Sequence, residues 1–523
     1  SVLLNVHSWF SLNHGVLSPE QVLQEVHDLG LQQVALTDIN CTAGWSDLFR
    51  LADKYKVRPL AGIEFKVGPR TLYIGIARNN AGVQQLASLL TDRLLDGNAL
   101  PEQAPELPDA FIIYLYGAVN IPAKLRPNEY IGVRPGDVNR LRFSPLMARK
   151  EKLLALVTAT FRSDGTLSKR DFNVHRLKRA VDTNTLLSTT PTAHVSAPEN
   201  RFLSEEQICT AFADVPELVW NTRRLMDQCD VHFAHGKSKN RMTWSNDASA
   251  DLELLRTETQ AGLLRRYPTP SQPVLDRVQR ELTVIAQKDF VSYFLINWDL
   301  IRFAKRKGFF HVGRGSGANS LVAYCLGITD VDPIELDLYF ERFINPSRSS
   351  PPDFDLDFSW KDRDQVTQYL FDTYGDQRRV ALLATYSTYQ RRAVVRELGK
   401  VFGLPPADID ALAEGDTAHS RWIGRGDNAK ASNGSSVEID NERIARTILR
   451  YAEHFHEHPH HLSIHVGGVL ISEQPLTHYT ALHLPPKGFA TTQFSMLEAE
   501  DLGLYKFDIL SQRGLGHIRD AVE

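Results

Sequence analysis

An acidic stretch near the middle of the chain, PDFDLDF at residues 352–358, constrains the fold more than any other feature. Carboxylates alternate there with large apolar residues, and side chains of a β-strand alternate between its two faces. Asp353, Asp355 and Asp357 therefore share one face of a predicted strand, and the apolar residues between them share the other. Three neighbouring carboxylates repel one another unless a cation lies between them, and Mg²⁺ prefers oxygen ligands of this kind. The pattern favours a magnesium site over the alternative, an exposed edge strand with solvated acids.

Bulk composition limits the class of protein. The chain has 523 residues, enough for three or four domains, and its 42% hydrophobic and 23% charged residues are typical of soluble globular proteins. The net charge of −4 means that an anionic partner has to be held by local basic patches. Four scattered cysteines without CxxC spacing indicate a reducing compartment, and the sequence shows neither a membrane-spanning apolar run nor a signal peptide. We therefore expect a cytoplasmic protein without a membrane partner.

The first 80 residues alternate short apolar runs with helical patterns, which predicts a parallel sheet or a barrel. The predicted strands are Leu3–Val6, Val34–Thr37, Pro59–Phe65 and Leu72–Ala77, and the predicted helices are Pro19–Leu29 and Ser46–Lys56. Further along, the polar segment 234–250 predicts a domain boundary or a mobile loop, residues 363–374 predict a helix, and residues 414–440 predict a loop between helices.

A glycine-rich stretch, GRGSGANS at residues 313–320, follows an apolar strand and leads into a helical pattern. Glycines let backbone N–H groups approach an anion, and the following helix N-terminus favours negative charge. A Walker loop is excluded because the lysine is missing, and a dinucleotide fingerprint is formally matched but is not followed by a second strand ending in an acid. A third interpretation is a triphosphate-binding loop close to the acidic strand. The basic run at residues 302–307 suits either a nucleic-acid backbone or a solvated helix face.

Four motifs in this order resemble one family, the alpha subunit of bacterial DNA polymerase III among the C-family replicative polymerases. They are GRGSGANS at 313–320, FERFINPSR at 340–348, PDFDLDF at 352–358 and LYKFDIL at 504–510. The resemblance implies a multidomain α/β and α+β protein with a PHP-type distorted β/α barrel, a polymerase-beta-like nucleotidyltransferase palm and a helical thumb inserted in the palm. The implied domains are PHP at 1–225, the first part of the palm at 226–388, the thumb at 389–460 and the second part of the palm at 461–523.

The resemblance also implies roles for particular residues. Asp353, Asp355 and Asp508 are the expected catalytic ligands of two Mg²⁺ ions, whereas the alternation alone does not choose between Asp353 and Asp357. The residues expected to bind the nucleotide are Arg314, Gly315, Ser316, Arg342 and Lys506. The residues expected to contact DNA are Arg391, Arg392 and Arg396.

The implied function is template-directed DNA synthesis by two-metal nucleotidyl transfer from a dNTP to a primer 3′-hydroxyl. Primer–template DNA and dNTP are the expected partners, and a sliding clamp and a proofreading subunit are expected for a full-length relative. Family members continue into fingers and further C-terminal domains, so the resemblance predicts a fragment with weak or no synthesis alone. The alternatives are a metal-dependent phosphoesterase or 3′–5′ exonuclease in the barrel, and a replisome scaffold.

The barrel departs from the metal-binding pattern of active PHP domains. The usual HxH pair has Asn5 in place of its first histidine, the aspartate–histidine pair keeps only Asp38, and the late aspartate before His194 is lost. The remaining candidates of this degenerate site are His7, Asp38, Glu64 and His194. A multinuclear site loses affinity with each lost ligand, so we expect a structural barrel without its metal.

Six histidines lie between His454 and His465. A zincin-type site needs HExxH, and the stretch from His461 to His465 lacks the glutamate. We therefore favour a polar linker over a metal site here.

Overall fold

The computed structural model describes residues 2–342, 344–345, 347, 350–414 and 436–522, which divide into two compact units. Unit 1 contains Ser1–Phe233, Tyr386–Ser463 and Tyr479–Ala481, and unit 2 contains Ala234–Thr385, Ile464–His478 and Leu482–Glu523. Unit 2 begins at the first residue of the polar segment 234–250. The chain changes unit within two strands, near residues 385 and 463.

The strands and helices alternate through most of the chain. The strands are β1 (Asn5–Val6), β2 (Gln33–Leu36), β3 (Arg58–Val67), β4 (Arg70–Ala77), β5 (Ala110–Leu115), β6 (Glu129–Val133), β7 (Leu153–Ala155), β8 (Thr158–Ala159), β9 (His311–Arg314), β10 (Asp355–Ser359), β11 (Val380–Thr388), β12 (Pro459–Ile471), β13 (Leu482–His483), β14 (Thr491–Ser495) and β15 (Phe507–Gln512). The α-helices are α1 (Pro19–Asp28), α2 (Gly44–Tyr55), α3 (Asn80–Leu94), α4 (Val138–Leu141), α5 (Gly165–Thr183), α6 (Glu205–Ala211), α7 (Pro216–Asp227), α8 (Ala248–Arg266), α9 (Gln272–Gln287), α10 (Val291–Arg306), α11 (Leu321–Leu326), α12 (Arg363–Tyr374), α13 (Arg391–Phe402), α14 (Pro406–Glu414), α15 (Ser436–Ala452), α16 (Met496–Leu502) and α17 (Arg513–Val522).

Unit 1 is built on an eight-stranded mixed sheet in the order β7-β6-β5-β4-β3-β2-β1-β8. Its two edge strands follow each other directly in sequence, since β7 ends at Ala155 and β8 begins at Thr158. Eight flat strands would hold these edges about 34 Å apart, whereas so short a connection reaches only about 10 Å. The sheet therefore curls until its edges approach, as the predicted barrel requires.

Helix α1 shows why the sequence patterns in unit 1 were informative. Ser18 and Gln21 form a reciprocal capping box, and Pro19 occupies the first helical turn, where no backbone donor is needed. Val22 and Val26 lie four residues apart and are fully buried, so one face of the helix packs on the core. The four strands and two helices predicted in the first 80 residues are all present, although β1 covers only the last two residues of its predicted range.

The helices α13, α14 and α15 complete the core of unit 1. Val394 and Leu398 of α13 are buried and belong to the same apolar cluster as Phe161 and Val174. The predicted loop 414–440 is only partly described, and its last five residues already belong to α15, so the helix begins earlier than predicted.

Unit 2 contains a seven-stranded sheet in the order β13-β14-β11-β12-β15-β10-β9. Helix α12 has the predicted bounds, Arg363–Tyr374. The acidic strand β10 begins at Asp355 and not at Asp353, which corrects the predicted start by two residues. The difference arises because the backbone N–H and carbonyl of Asp353 form hydrogen bonds with the glycine-rich loop and not with a neighbouring strand.

Within the described part of the chain, no helix has both the length and the hydropathy needed to cross a membrane.

Candidate functional site

One cationic and two acidic side chains lie in a row across the sheet of unit 2: Arg314, Asp355 and Asp508. Strand β10 pairs antiparallel with β9, which sets Asp355 opposite Arg314, and parallel with β15, which sets Asp355 opposite Asp508. Paired residues of neighbouring strands point to the same face of a sheet. Asp355 and Asp508 are separated by more than 150 residues in sequence, and the strand pairing brings them together on one surface.

The opposite face of β10 anchors this row to the core. Phe354, Leu356 and Phe358 are each at most 2% exposed. Tyr293 of α10 stacks on the Phe354 ring with 5.7 Å between ring centroids. The predicted division of the acidic stretch into a polar and an apolar face is confirmed.

The carboxylates of the row are bonded to cationic side chains. Arg314 donates from Nη1 to Asp355 at 2.8 Å and from Nε to Asp357 at 2.7 Å, and the Lys506 ammonium donates to Asp508. Burial and the neighbouring Asp508 charge raise the pKa of Asp355, although Arg314 acts in the opposite direction. The site thus concentrates like charges at a partly exposed surface and balances them with the cationic side chains of Arg314 and Lys506.

The glycine-rich loop lies directly against the acidic stretch. Gly317 N–H donates to the Asp353 carbonyl at 2.8 Å, and the Asp353 N–H donates to Ser316 Oγ at 3.0 Å. A Cβ on Gly315, whose φ is +90°, would lie 2.8 Å from the Asp353 carbonyl, and a Cβ on Gly317 would lie 2.1 Å from the Phe354 ring. Only glycine fits at either position, so the glycine-rich loop packs directly against the acidic stretch.

His465 is a further polar group of this region that the sequence analysis did not assign. Its Nδ1 accepts hydrogen bonds from the N–H groups of Gly467 at 3.2 Å and Gly468 at 2.9 Å, which leaves the proton on Nε2. Burial lowers the pKa of His465, with Lys506 also lowering it and Asp508 opposing. The sequence did not single out His465, because it lies among other histidines and no sequence pattern predicts its hydrogen bonds to the backbone of Gly467 and Gly468.

The donor chemistry of the row suits a hard divalent cation, since carboxylate oxygens are the ligands that Mg²⁺ takes in proteins. Asp355 and Asp508 lie side by side, and Asp353 is exposed two residues before the start of β10. In the part of the chain that the structure describes, however, no three His, Cys, Asp or Glu side chains are arranged to hold a metal ion. As they stand, Asp355 and Asp508 are bonded to Arg314 and Lys506.

The remaining predicted residues of the polymerase-like region lie elsewhere. Arg342 ends the short 3₁₀ helix Phe340–Arg342, and its side chain lies outside the described residues. In unit 1, Arg391 is exposed at the start of α13, while Arg392 pairs with Glu414 at 3.7 Å and Arg396 with Asp410 at 3.1 Å.

The histidine run is dispersed by the fold. His458 packs on the ring of Trp9, and His460 packs on the ring of Tyr389. His454 contacts the ring of Tyr451. Within unit 1 these histidines therefore have separate aromatic neighbours.

The barrel residues of unit 1 form a buried network. His7 bonds through Nε2 to Glu64 at 2.6 Å and through Nδ1 to Thr160 at 2.9 Å. Burial alone would raise the pKa of Glu64, but the His7 contact outweighs it and holds the pKa at about 2. Asp38 accepts three hydrogen bonds, from the Ser8 N–H and hydroxyl and from the Ser11 hydroxyl, at 2.6–2.7 Å.

Two unassigned histidines join this network. The His14 ring lies 5.3 Å from that of His7 and 4.6 Å from that of His175, centroid to centroid. Burial lowers the pKa of His175 to about 3. The predicted candidate His194 takes part in the described contacts through its backbone, whose carbonyl accepts from Arg179 at 2.9 Å. No spacing rule in the sequence pointed to His14 or His175.

Comparison with known proteins covers both units. Residues 4–164 match the PHP domain family, and residues 253–511 match the family described as the bacterial DNA polymerase III alpha NTPase domain. The DNA polymerase III subunit alpha of Bacillus subtilis (strain 168) is 30% identical over 98% of this chain. The chain belongs to the DNA polymerase III alpha family.

Other relatives match at similar levels. The DNA polymerase III subunit alpha of Escherichia coli (strain K12) and the error-prone DNA polymerase of Symbiobacterium thermophilum are each 29% identical over the whole chain. The alignments cover 48%, 49% and 52% of the Bacillus, Escherichia and Symbiobacterium proteins, so the chain spans about half the length of the curated relatives it matches. The PHP domain and the membership of this family, both expected from the motifs, are confirmed.

Proposed function

We propose that unit 2 is the palm of a template-directed DNA polymerase, which transfers a nucleotidyl group from a dNTP to the 3′-hydroxyl of a primer. The observation that carries the proposal is the row of Arg314, Asp355 and Asp508 beside the loop at Gly315 and Ser316. Phosphoryl transfer of this kind needs carboxylates for divalent cations and donors for phosphates within one small surface. The chain has both on adjacent strands.

Asp353, Asp355 and Asp508 are the proposed ligands of two Mg²⁺ ions. When bound, the ions would supply charge neutralisation for the attacking and leaving oxygens. The protein holds Asp355 and Asp508 by strand pairing and keeps Asp353 next to them through its backbone bonds to the loop. These backbone contacts support the assignment of the three acids to one site.

The triphosphate is proposed to bind along the loop. Gly315 is exposed close to Asp355, Ser316 follows it in the loop, and Arg314 and Lys506 supply positive charge on either side of the carboxylates. We assign Arg342 to the same phosphates from the motif alone. Base pairing with a template would read the sequence, so contacts from the protein are expected mainly on backbones.

The thumb is proposed to comprise residues 389–460, with Arg391, Arg392 and Arg396 on α13 contacting the duplex backbone. These arginines are at least partly exposed, and the acidic partners of Arg392 and Arg396 are also exposed, so phosphates compete for them at little cost. Primer–template DNA and dNTP are the proposed partners of the chain, while a clamp and a proofreading subunit are proposed for a full-length protein.

A phosphoesterase or exonuclease in the barrel receives less support. Both ring nitrogens of His7 are bonded within the protein, and Asp38 is saturated by Ser8 and Ser11. Such groups would have to give up buried hydrogen bonds to hold a metal ion. A structural role of this barrel is compatible with synthesis by unit 2.

Binding of Mn²⁺ together with a fluorescent dNTP tests the proposal, because the proposed metal and phosphate ligands all lie in unit 2. We expect Asp355→Asn to weaken nucleotide binding at least tenfold. Asp372→Asn is the matched control, since Asp372 is an exposed aspartate of α12 bonded to Gln368. Equal binding by wild type and Asp355→Asn, or binding that is lost on mutation of His7 and not of Asp355, would contradict the proposal.

A further inference from the structure

Asp357, the third acid of the alternating run, is the most buried of the three. It is 4% exposed, and the structure commits both of its carboxylate oxygens. Oδ2 accepts from Arg314 Nε at 2.7 Å, and Oδ1 accepts from Arg314 Nη2 at 3.3 Å and from Gln512 Nε2 at 3.4 Å. The Arg314 guanidinium thus binds Asp357 side-on, through its Nε and Nη2 atoms.

The third nitrogen of Arg314 has a different partner. Nη1 donates to Asp355 Oδ2 at 2.8 Å. Asp355 is 23% exposed on its side chain against 6% for Asp357, so Asp355 is the carboxylate that faces incoming ligands. A divalent cation on Asp355 competes with the Nη1 contact and leaves the two contacts to Asp357 intact.

Released from Asp355, Nη1 remains beside the glycine-rich loop. A Cβ on Gly315 would lie 3.4 Å from the Asp355 carboxyl carbon, so loop, Asp355 and Nη1 are close neighbours. The Arg314 side chain is half exposed, and an arginine held in one orientation loses less entropy when it binds an anion.

We propose that Asp357 is a positioning residue for nucleotide binding: it holds Arg314 side-on so that Nη1 meets the triphosphate when Asp355 turns to a metal ion. This inference rests on the proposed function of unit 2. It separates the three acids into two ligand candidates, Asp353 and Asp355, and one anchor, Asp357. The strand alternation treated all three as equivalent.

A double-mutant cycle on this chain tests the inference. Dissociation constants of Mn²⁺ plus a mant-labelled deoxynucleoside triphosphate are measured by fluorescence for wild type, Asp357→Asn, Arg314→Gln and the double variant. We expect Asp357→Asn to weaken nucleotide binding roughly tenfold in the wild-type background and by less than about twofold when Arg314 is already replaced. Binding of Mn²⁺ alone, followed by electron paramagnetic resonance, is expected to persist in Asp357→Asn.

Asp372→Asn is the charge-matched control, and thermal unfolding reports whether each variant folds. Arg314→Lys provides a second route if Asp357→Asn does not fold, because lysine keeps the charge but lacks the planar fork that bridges Asp357 and a phosphate. Arg314→Lys should then bind nucleotide as weakly as Arg314→Gln. Wild-type affinity in Arg314→Lys overturns the inference.

The remaining outcomes are equally decisive. Wild-type nucleotide affinity in Asp357→Asn, or the same loss in both backgrounds, overturns the positioning role while Asp355→Asn still reports on the proposed function. Loss of Mn²⁺ binding in Asp357→Asn makes Asp357 a metal ligand and also overturns it. A wild-type chain that binds no nucleotide overturns the inference and the proposed function together.

Discussion

Both units of the chain gather acids and cationic or ionisable partners, but they bury them differently. In unit 1 the side chains of His7 and Glu64 are each 4% exposed, and their remaining polar atoms are bonded to the protein. In unit 2 Arg314 is 49% exposed and Asp355 is 23% exposed, so their contact lies at a surface. A buried, saturated network stabilises the fold, whereas an exposed ion pair is weak enough to be exchanged for a ligand.

Glu64→Gln gives the largest expected effect. The pKa of Glu64 is about 2 in the folded chain against an ordinary 4.5, so its stabilisation is complete above about pH 4.5 and is lost as the pH falls towards 2. We expect the free energy of unfolding near pH 7 to fall by about 3 kcal/mol, with a smaller difference at pH 3. Urea unfolding from pH 7 to pH 3 measures it.

Glu20→Gln is the control, because the Glu20–Lys54 pair is exposed and is expected to contribute much less than the buried pair. Equal losses for the two variants would show that the buried network is no more stabilising than a surface pair. Nucleotide binding should be unchanged in both.

Lys506→Gln sharpens the comparison from the side of unit 2. The bond to Asp508 raises the pKa of Lys506, although burial opposes it, and removal of the ammonium leaves Asp508 beside Asp355 without its cation. We expect the unfolding free energy to fall by about 2 kcal/mol and the affinity for Mn²⁺ without nucleotide to rise several-fold. Lys361→Gln is the control, because Lys361 pairs with Asp520 at an exposed site in the same unit. Unchanged Mn²⁺ affinity in Lys506→Gln would mean that Lys506 does not compete with the metal.

Gly315→Ala tests the close approach of the loop to the acids. Gly315 has φ +90° and Gly308 has φ +72°, but a Cβ on Gly308 would meet nothing within 4 Å. Both replacements are expected to cost about 1 kcal/mol for the backbone strain. Only Gly315→Ala should lower the stability further, as measured by thermal unfolding, because of its close contacts. Only this variant should also weaken nucleotide binding, as measured by fluorescence. Identical behaviour of the two variants would separate the loop from the site.

Arg396→Gln gives the smallest expected change in stability, below about 0.5 kcal/mol, because its partner Asp410 is exposed. If α13 contacts a duplex, the salt dependence of primer–template binding should lose roughly one unit of slope, measured by fluorescence anisotropy. Arg140→Gln is the control, an exposed arginine of unit 1 that pairs with Asp137. A slope equal to that of wild type would remove Arg396 from the duplex contacts.

Much of the local structure was predictable. Alternation placed Phe354, Leu356 and Phe358 in the core, and the bounds of α12 were correct, because both patterns depend on neighbours within one turn or two residues. The start of β10 was two residues off, since a distant loop binds the backbone of Asp353. The predicted domain bounds and the roles of Arg342 and the α13 arginines stay predictions.

The sequence by itself determined the chemistry that is available: alternating acids, a glycine loop, and a later acid in LYKFDIL, in an order that identifies the family. Only the tertiary structure decided which of these groups touch. Strand register brings Asp355 between Arg314 and Asp508, and it leaves Asp357 beneath the side-on face of Arg314. The tertiary packing of unit 1 also brings His7, His14 and His175 into one buried cluster. Most of these contacts join residues tens to hundreds of positions apart, and they follow from sheet order and packing, for which local periodicity carries no signal.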